Sequence, residues 1–154
     1  MNPFETFLGI PLHPLAVHVP VVLVPMLILA ALAYALVPRL RPQVGWVAVL
    51  LAIATPLSAL AAKLSGDAFR ARYARRGASA DFLAKVDAHR SLATILVYVV
   101  AVFALAVLAM VLARNASRAL TVVLAVVTVG LALASAYYVF RAGDTGAHVV
   151  WTGS

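Results

Sequence analysis

Histidine is the residue type in this chain with the most chemistry to offer. His13 and His18 stand five positions apart near the start, His89 lies in mid-chain, and His148 lies near the end. A neutral imidazole is a strong ligand for haem iron and for Zn, Cu or Fe ions. Asp144, four positions before His148, adds a carboxylate that can ligate a metal or orient an imidazole. Cysteine is absent, which excludes thiolate metal sites, iron–sulfur clusters, disulfides and haem attachment through Cys-x-x-Cys-His. There is no nucleophile–base pair, no phosphate-binding glycine loop and no dinucleotide fingerprint. No catalytic residue is therefore assigned, and the chain is not expected to be an enzyme on its own.

The elements that must position these imidazoles are membrane helices. Hydrophobic residues fill 65% of the 154 positions and charged residues only 11%, with a mean hydropathy of +1.05. A soluble domain this small cannot bury so much apolar side chain, so a lipid bilayer is the expected surrounding. Four stretches reach the roughly 20 apolar residues that a crossing needs: residues 14–37, 44–62, 91–113 and 119–140. None contains Asp, Glu, Lys or Arg, each of which would cost about 2.5–3.5 kcal/mol at a helix centre. The fold class expected is all-α: one integral membrane four-helix bundle over residues 1–154, running up-down-up-down. Pro20, Pro25 and Pro56 fall inside spans and predict a kinked first helix. Small residues at four-residue spacing, Ala54, Ser58 and Ala62 and again Gly130 and Ala134, predict close helix approach.

The connections are unequal. Residues 38–43 and 114–118 are tight turns, which favour antiparallel neighbours. The longer connection, 63–90, is expected to be partly helical. Asp67 would cap a short basic helix ending near Gly77, and Ser79 or Asp81 would start a helix continuing into the third span. Four spans put both termini and this connection on one side, here side A, and the two tight turns on side B. The first nine residues contain no Lys or Arg, so no cleaved signal peptide is expected. Side B carries Arg39, Arg41, Arg114 and Arg118 without an acid, whereas side A carries more basic residues and all five acids. The total favours side A inside. The first helix, with no positive residue before it and two soon after it, favours side B inside. The orientation adopted is B cytoplasmic and A extracytoplasmic. The net charge of +7 is assigned to lipid head groups, and no nucleic acid is expected as a partner.

This topology gathers all four histidines on side A. The first and third helices of such a bundle are diagonal, so His18 and His89 are expected to face each other near the A-side mouth. Two facing imidazoles are what a bis-histidine haem b requires, with Arg70, Arg72, Arg90 or Arg141 reaching its propionates. The alternative is a Cu, Zn or Fe ion held among His13, His18, His89, Asp144 and His148. Gly143 and Gly146 are expected to break the fourth helix, letting the tail through Trp151 fold over the mouth and carry Asp144 to the histidines.

The run His13-Pro14-Leu15-Ala16-Val17-His18-Val19-Pro20 resembles the His-Pro-x-x-Val-His-x-Pro opening of a bacterial domain-of-unknown-function family of small four-helix membrane proteins. His89 at the head of the third span and the Gly-x-x-Gly-Ala-x-x-Val-Trp tail, here Gly143 to Trp151, also match that pattern. Relatives in the family occur joined to Rieske or cytochrome c domains. The resemblance implies a bacterial inner membrane, a place in electron transfer and, by position, roles for His13, His18 and His89. A redox partner protein or a homo-oligomer is the partner it implies. The contrasting expectation is a cofactor-free structural or accessory subunit of a larger membrane complex. A transporter would need ionisable or discontinuous sites near the midplane, and the spans carry no charge.

Overall fold

In lipid a backbone has no water to bond, so each charge-free stretch closes its hydrogen bonds internally as a helix. A computed structural model describes residues 4–152; residues 1–3 and 153–154, the ends of the expected single domain, lie outside the described residues. Helices α1 (Leu12–Ala16) and α2 (His18–Leu36) make the first crossing, α3 (Arg41–Arg75) the second, α4 (Ala80–Leu112) the third and α5 (Arg118–Thr152) the fourth. All four crossings are long and apolar enough to span a bilayer. A 3₁₀ turn, Pro38–Leu40, joins α2 to α3. Helices consecutive in sequence pack side by side, α5 closes against α2, and α2 barely touches α4. This is the up-down-up-down bundle.

The interior is large on one side and small on the other. Val24 and Leu27 of α2 and Val100, Phe103 and Val107 of α4 are fully buried. Against them α3 presents Gly45, Ala48, Ala52, Thr55, Ala59 and Ala62, all buried, at the alternating three-and-four spacing of a helix seam. Small residues there let backbones approach, which is the main source of helix association in lipid. Of the expected four-residue stripes only Ala62 falls in this seam; Ala54 and Gly130 are exposed. Helix α5 instead turns Thr128, Ala132 and Ser135 inward.

Two expectations are corrected. Helices α3 and α5 each run 35 residues, about 52 Å at 1.5 Å per residue against a hydrocarbon core of about 30 Å. The separate basic helix capped by Asp67 is therefore absent: α3 continues through Lys63 to Arg75. Asp67 is recruited for pairing instead, with Lys63 Nζ at 2.5 Å and Arg90 Nη2 at 2.7 Å. The chain reverses only at Gly77, whose φ of +77° needs a glycine. Ser79 then caps α4 by accepting from the Phe82 N–H at 3.2 Å. The second correction is the tail, where α5 passes through Gly143 and Gly146 without a break. Pro25 and Pro56 lie inside continuous helices. The one joint, Val17, precedes Pro20, whose missing N–H leaves the Ala16 carbonyl without its helical donor.

The A-side ends of α3 and α4 are tied by charge. Arg70 grips Asp87 through two bonds of 2.8 and 3.0 Å, and Arg90 bridges Asp67 and Asp87. Ahead of α1, a two-residue turn at Leu8–Gly9, both with positive φ, closes a short hairpin pairing Thr6 with Pro11 and Phe7 with Ile10. Glu5 beside it pairs with Arg75.

Candidate functional site

The inward end of the first crossing sits against α3. Helix α1 packs on α3, and this carries the His13 ring over the upper end of the small-residue seam. His13 Nδ1 lies 3.1 Å from the Ala62 carbonyl oxygen and 3.2 Å from Ser65 Oγ. A carbonyl only accepts, so Nδ1 is the protonated nitrogen and Nε2 carries the lone pair. Ser65 directs its own proton to the Ala62 carbonyl at 2.8 Å. Directly beneath the ring is Gly66, where a Cβ would stand 3.0 Å from His13 Cε1. Only a glycine admits the imidazole at that depth.

His89 is built the same way from the other pair of helices. Its Nδ1 is 3.2 Å from Thr145 Oγ1, whose proton is already given to the Arg141 and Ala142 carbonyls at 2.9 and 3.2 Å. With Thr145 donating to either carbonyl its oxygen accepts from His89, which then carries its proton on Nδ1 and its lone pair on Nε2. Gly146 flanks this ring, and a Cβ there would be 3.1 Å from His89 Cε1. The two rings, 76 positions apart in sequence, meet with centroids 6.2 Å apart at an interplanar angle of 65°. Phe69 lies 5.8 Å beyond His13, and Tyr73 and Phe82 continue the run of rings towards the A surface.

The structure thus pairs His89 with His13, not with His18. The His18 ring is exposed and donates from Nδ1 to the Pro14 carbonyl at 2.7 Å, so it satisfies the backbone at the Val17 joint. Asp144 is exposed on α5 and lies 3.5 Å from His148 Nδ1 one turn on, and that nitrogen also bonds the Asp144 carbonyl at 2.9 Å. With α5 unbroken, these two are not folded over the mouth. Arg90 is committed to Asp67 and Asp87, and Arg141 is exposed. Arg70 is held by Asp87, and one buried nitrogen of Arg72 has no hydrogen-bond partner among the described residues. Among the described residues no three His, Asp or Glu side chains converge as a metal-ligand group.

Sequence reasoning missed Ser65, Gly66, Thr145 and Gly146. The signal for Ser65 and Gly66 was the three-and-four seam of α3, which continues past the charged Lys63 through both. No curated protein and no solved structure matches the chain. The family model described as predicted membrane protein DUF2231 matches residues 9–154, so the chain belongs to the DUF2231 family of membrane proteins.

Proposed function

We propose that this membrane protein is of redox type and holds a transition-metal ion between His13 and His89 at the A-side mouth, with copper favoured. The observation that carries the reading is the ring pair: two neutral-tautomer imidazoles 6.2 Å apart, each with Nδ1 fixed by a hydrogen bond that leaves the Nε2 lone pair available. A metal–nitrogen distance of about 2.0–2.1 Å on each side puts two coordinating ring centroids about 6 Å apart. Structural zinc takes four protein ligands, whereas two imidazoles suit copper in its reduced state or the axial positions of haem iron. A bare ion fits the surroundings better than haem b. Phe69, Gly66 and Gly146 crowd the flanks of the two rings, where a macrocycle would have to lie. Haem b between His18 and His89 would further need His18 to release Pro14 and turn inward.

The test is metal analysis and a dithionite-reduced spectrum of the detergent-purified protein, followed by titration with cuprous ion against a chelator. The expected result is one bound ion per chain, no Soret band, loss of the ion in His13→Ala and His89→Ala, and retention in His18→Ala. A Soret band would reassign the pair to haem b. Equal metal content in the wild type and in the His13→Ala/His89→Ala double variant would end the proposal and favour the cofactor-free accessory subunit.

A further inference from the structure

The opposite end of the bundle carries arginine charge that no acid neutralises among the described residues. Arg39, Arg41, Arg114 and Arg118 belong to side B, while all five carboxylates, Glu5, Asp67, Asp81, Asp87 and Asp144, belong to side A. Two of these arginines, Arg41 at the start of α3 and Arg114 in the turn after α4, line one cleft of about 570 Å³ with Tyr34, Pro42, Gly45, Trp46, Val111 and Leu112.

The cleft is constructed rather than incidental. Tyr34 is 5% exposed and forms its floor. Gly45 admits that ring, since a Cβ would stand 3.3 Å from Tyr34 Cε2. Arg41 is locked in place: Nε donates to the Tyr34 carbonyl at 3.1 Å and the guanidinium carbon lies 5.6 Å over the Tyr34 ring. Its terminal nitrogens make no ion pair among the described residues, and neither does Arg114 at the end of α4. An oriented arginine fork is suited to phosphate oxygens. Beside the forks the wall is apolar and open, with Leu112 80% and Trp46 65% exposed, at the level where Trp meets lipid head groups.

We infer that this cleft is a binding site for an anionic phospholipid, Arg41 and Arg114 taking the phosphate and the Trp46–Leu112 wall taking the acyl chains. A free phosphate would use the arginines and leave that wall exposed. The zwitterionic head group brings a second positive charge to an end that has no carboxylate to receive it. Basic clefts between membrane helices on the cytoplasmic side are a recognised form of anionic-lipid site.

The test is native mass spectrometry of protein released from nanodiscs of phosphatidylglycerol mixed with phosphatidylcholine, with monodispersity and helicity checked for each variant. Wild type should retain phosphatidylglycerol in preference to phosphatidylcholine. Arg41→Ala/Arg114→Ala should retain it about thirtyfold less, which is about 2 kcal/mol at 1.4 kcal/mol per factor of ten. The single variant Arg114→Ala, at an exposed position after α4, should show part of that loss. Arg39→Ala/Arg118→Ala removes the same charge outside the cleft and should retain lipid as wild type does. Equal loss in both double variants, or equal retention of both lipids by wild type, would overturn the site. Displacement of the lipid by inorganic phosphate alone would equally overturn it, in favour of a free-anion site.

Discussion

His13 and His89 are each oriented by a hydrogen bond at Nδ1, to the Ala62 carbonyl and to the Thr145 hydroxyl, and that dependence is open to measurement. Thr145→Val keeps the volume of the side chain but removes the acceptor of the His89 Nδ1 proton. Loss of such an orienting partner typically costs 10–100-fold in metal affinity, and that loss is expected in a competitive copper titration, with helicity unchanged. Gly146→Ala acts by a different route, because the new Cβ would press on His89 Cε1 at 3.1 Å. It should weaken copper binding at least as much. Wild-type affinity in Thr145→Val would show that the hydroxyl does not orient the ring. That only one of His13 and His18 can turn inward is readable in the spacing. Five residues at 3.6 per turn set His13 and His18 about 140° apart on one helix, so the two cannot share a face. The sequence pattern did not say which one turns inward. That is decided by α1 lying on the Ala62–Ser65–Gly66 end of α3, a contact between parts of the chain 49 residues or more apart.

The helices were legible where lipid dictates them and illegible where water does. Every apolar span was marked by the absence of charge, because one buried Lys or Asp would be prohibitive there. Beyond Lys63 this constraint lapses, and α3 carries on as a charged helix held by Asp67, Asp87, Arg70 and Arg90. Of these, Asp87 and Arg90 are partners on α4 that a linear reading does not supply. The glycines of α5 misled for a related reason. Glycine in a helix costs about 1 kcal/mol relative to alanine, yet Gly146 is retained inside α5, where the His89 ring packs on it. The Ser79 cap, by contrast, is local, and is one of the two starts, Ser79 or Asp81, that the sequence offers. Ser79→Ala should lower the stability of the α4 extension by about 1 kcal/mol. The expected signature is faster amide exchange over residues 80–90 with the membrane-embedded part of α4 unchanged, and Ser79→Asp should restore protection. Uniform acceleration along α4 would mean that the extension and the span unfold as one unit.

At the scale of the whole molecule the bundle is asymmetric along the membrane normal. Its B-side ends stop at arginines next to the apolar spans, whereas α3 projects 13 residues, Lys63 to Arg75, or about 20 Å at 1.5 Å per residue, past the last apolar turn on side A. The histidine pair therefore stands at the base of a helical ridge, at the level where hydrocarbon gives way to water. Which compartment that ridge enters decides what the histidine mouth can meet. The four arginines of the tight-turn end, unaccompanied by acid, argue for that end in the cytoplasm. The chain has no cysteine, so single thiols can be introduced without background. Ala80→Cys, at the exposed start of α4, and Asn115→Cys, in the exposed α4–α5 turn, should report opposite faces to a membrane-impermeant maleimide. In right-side-out vesicles only the Ala80 variant should label, and in inverted vesicles only the Asn115 variant. Labelling of both from one face would contradict the four-crossing topology. Exchange of the two results would keep the topology and turn the histidine mouth towards the cytoplasm.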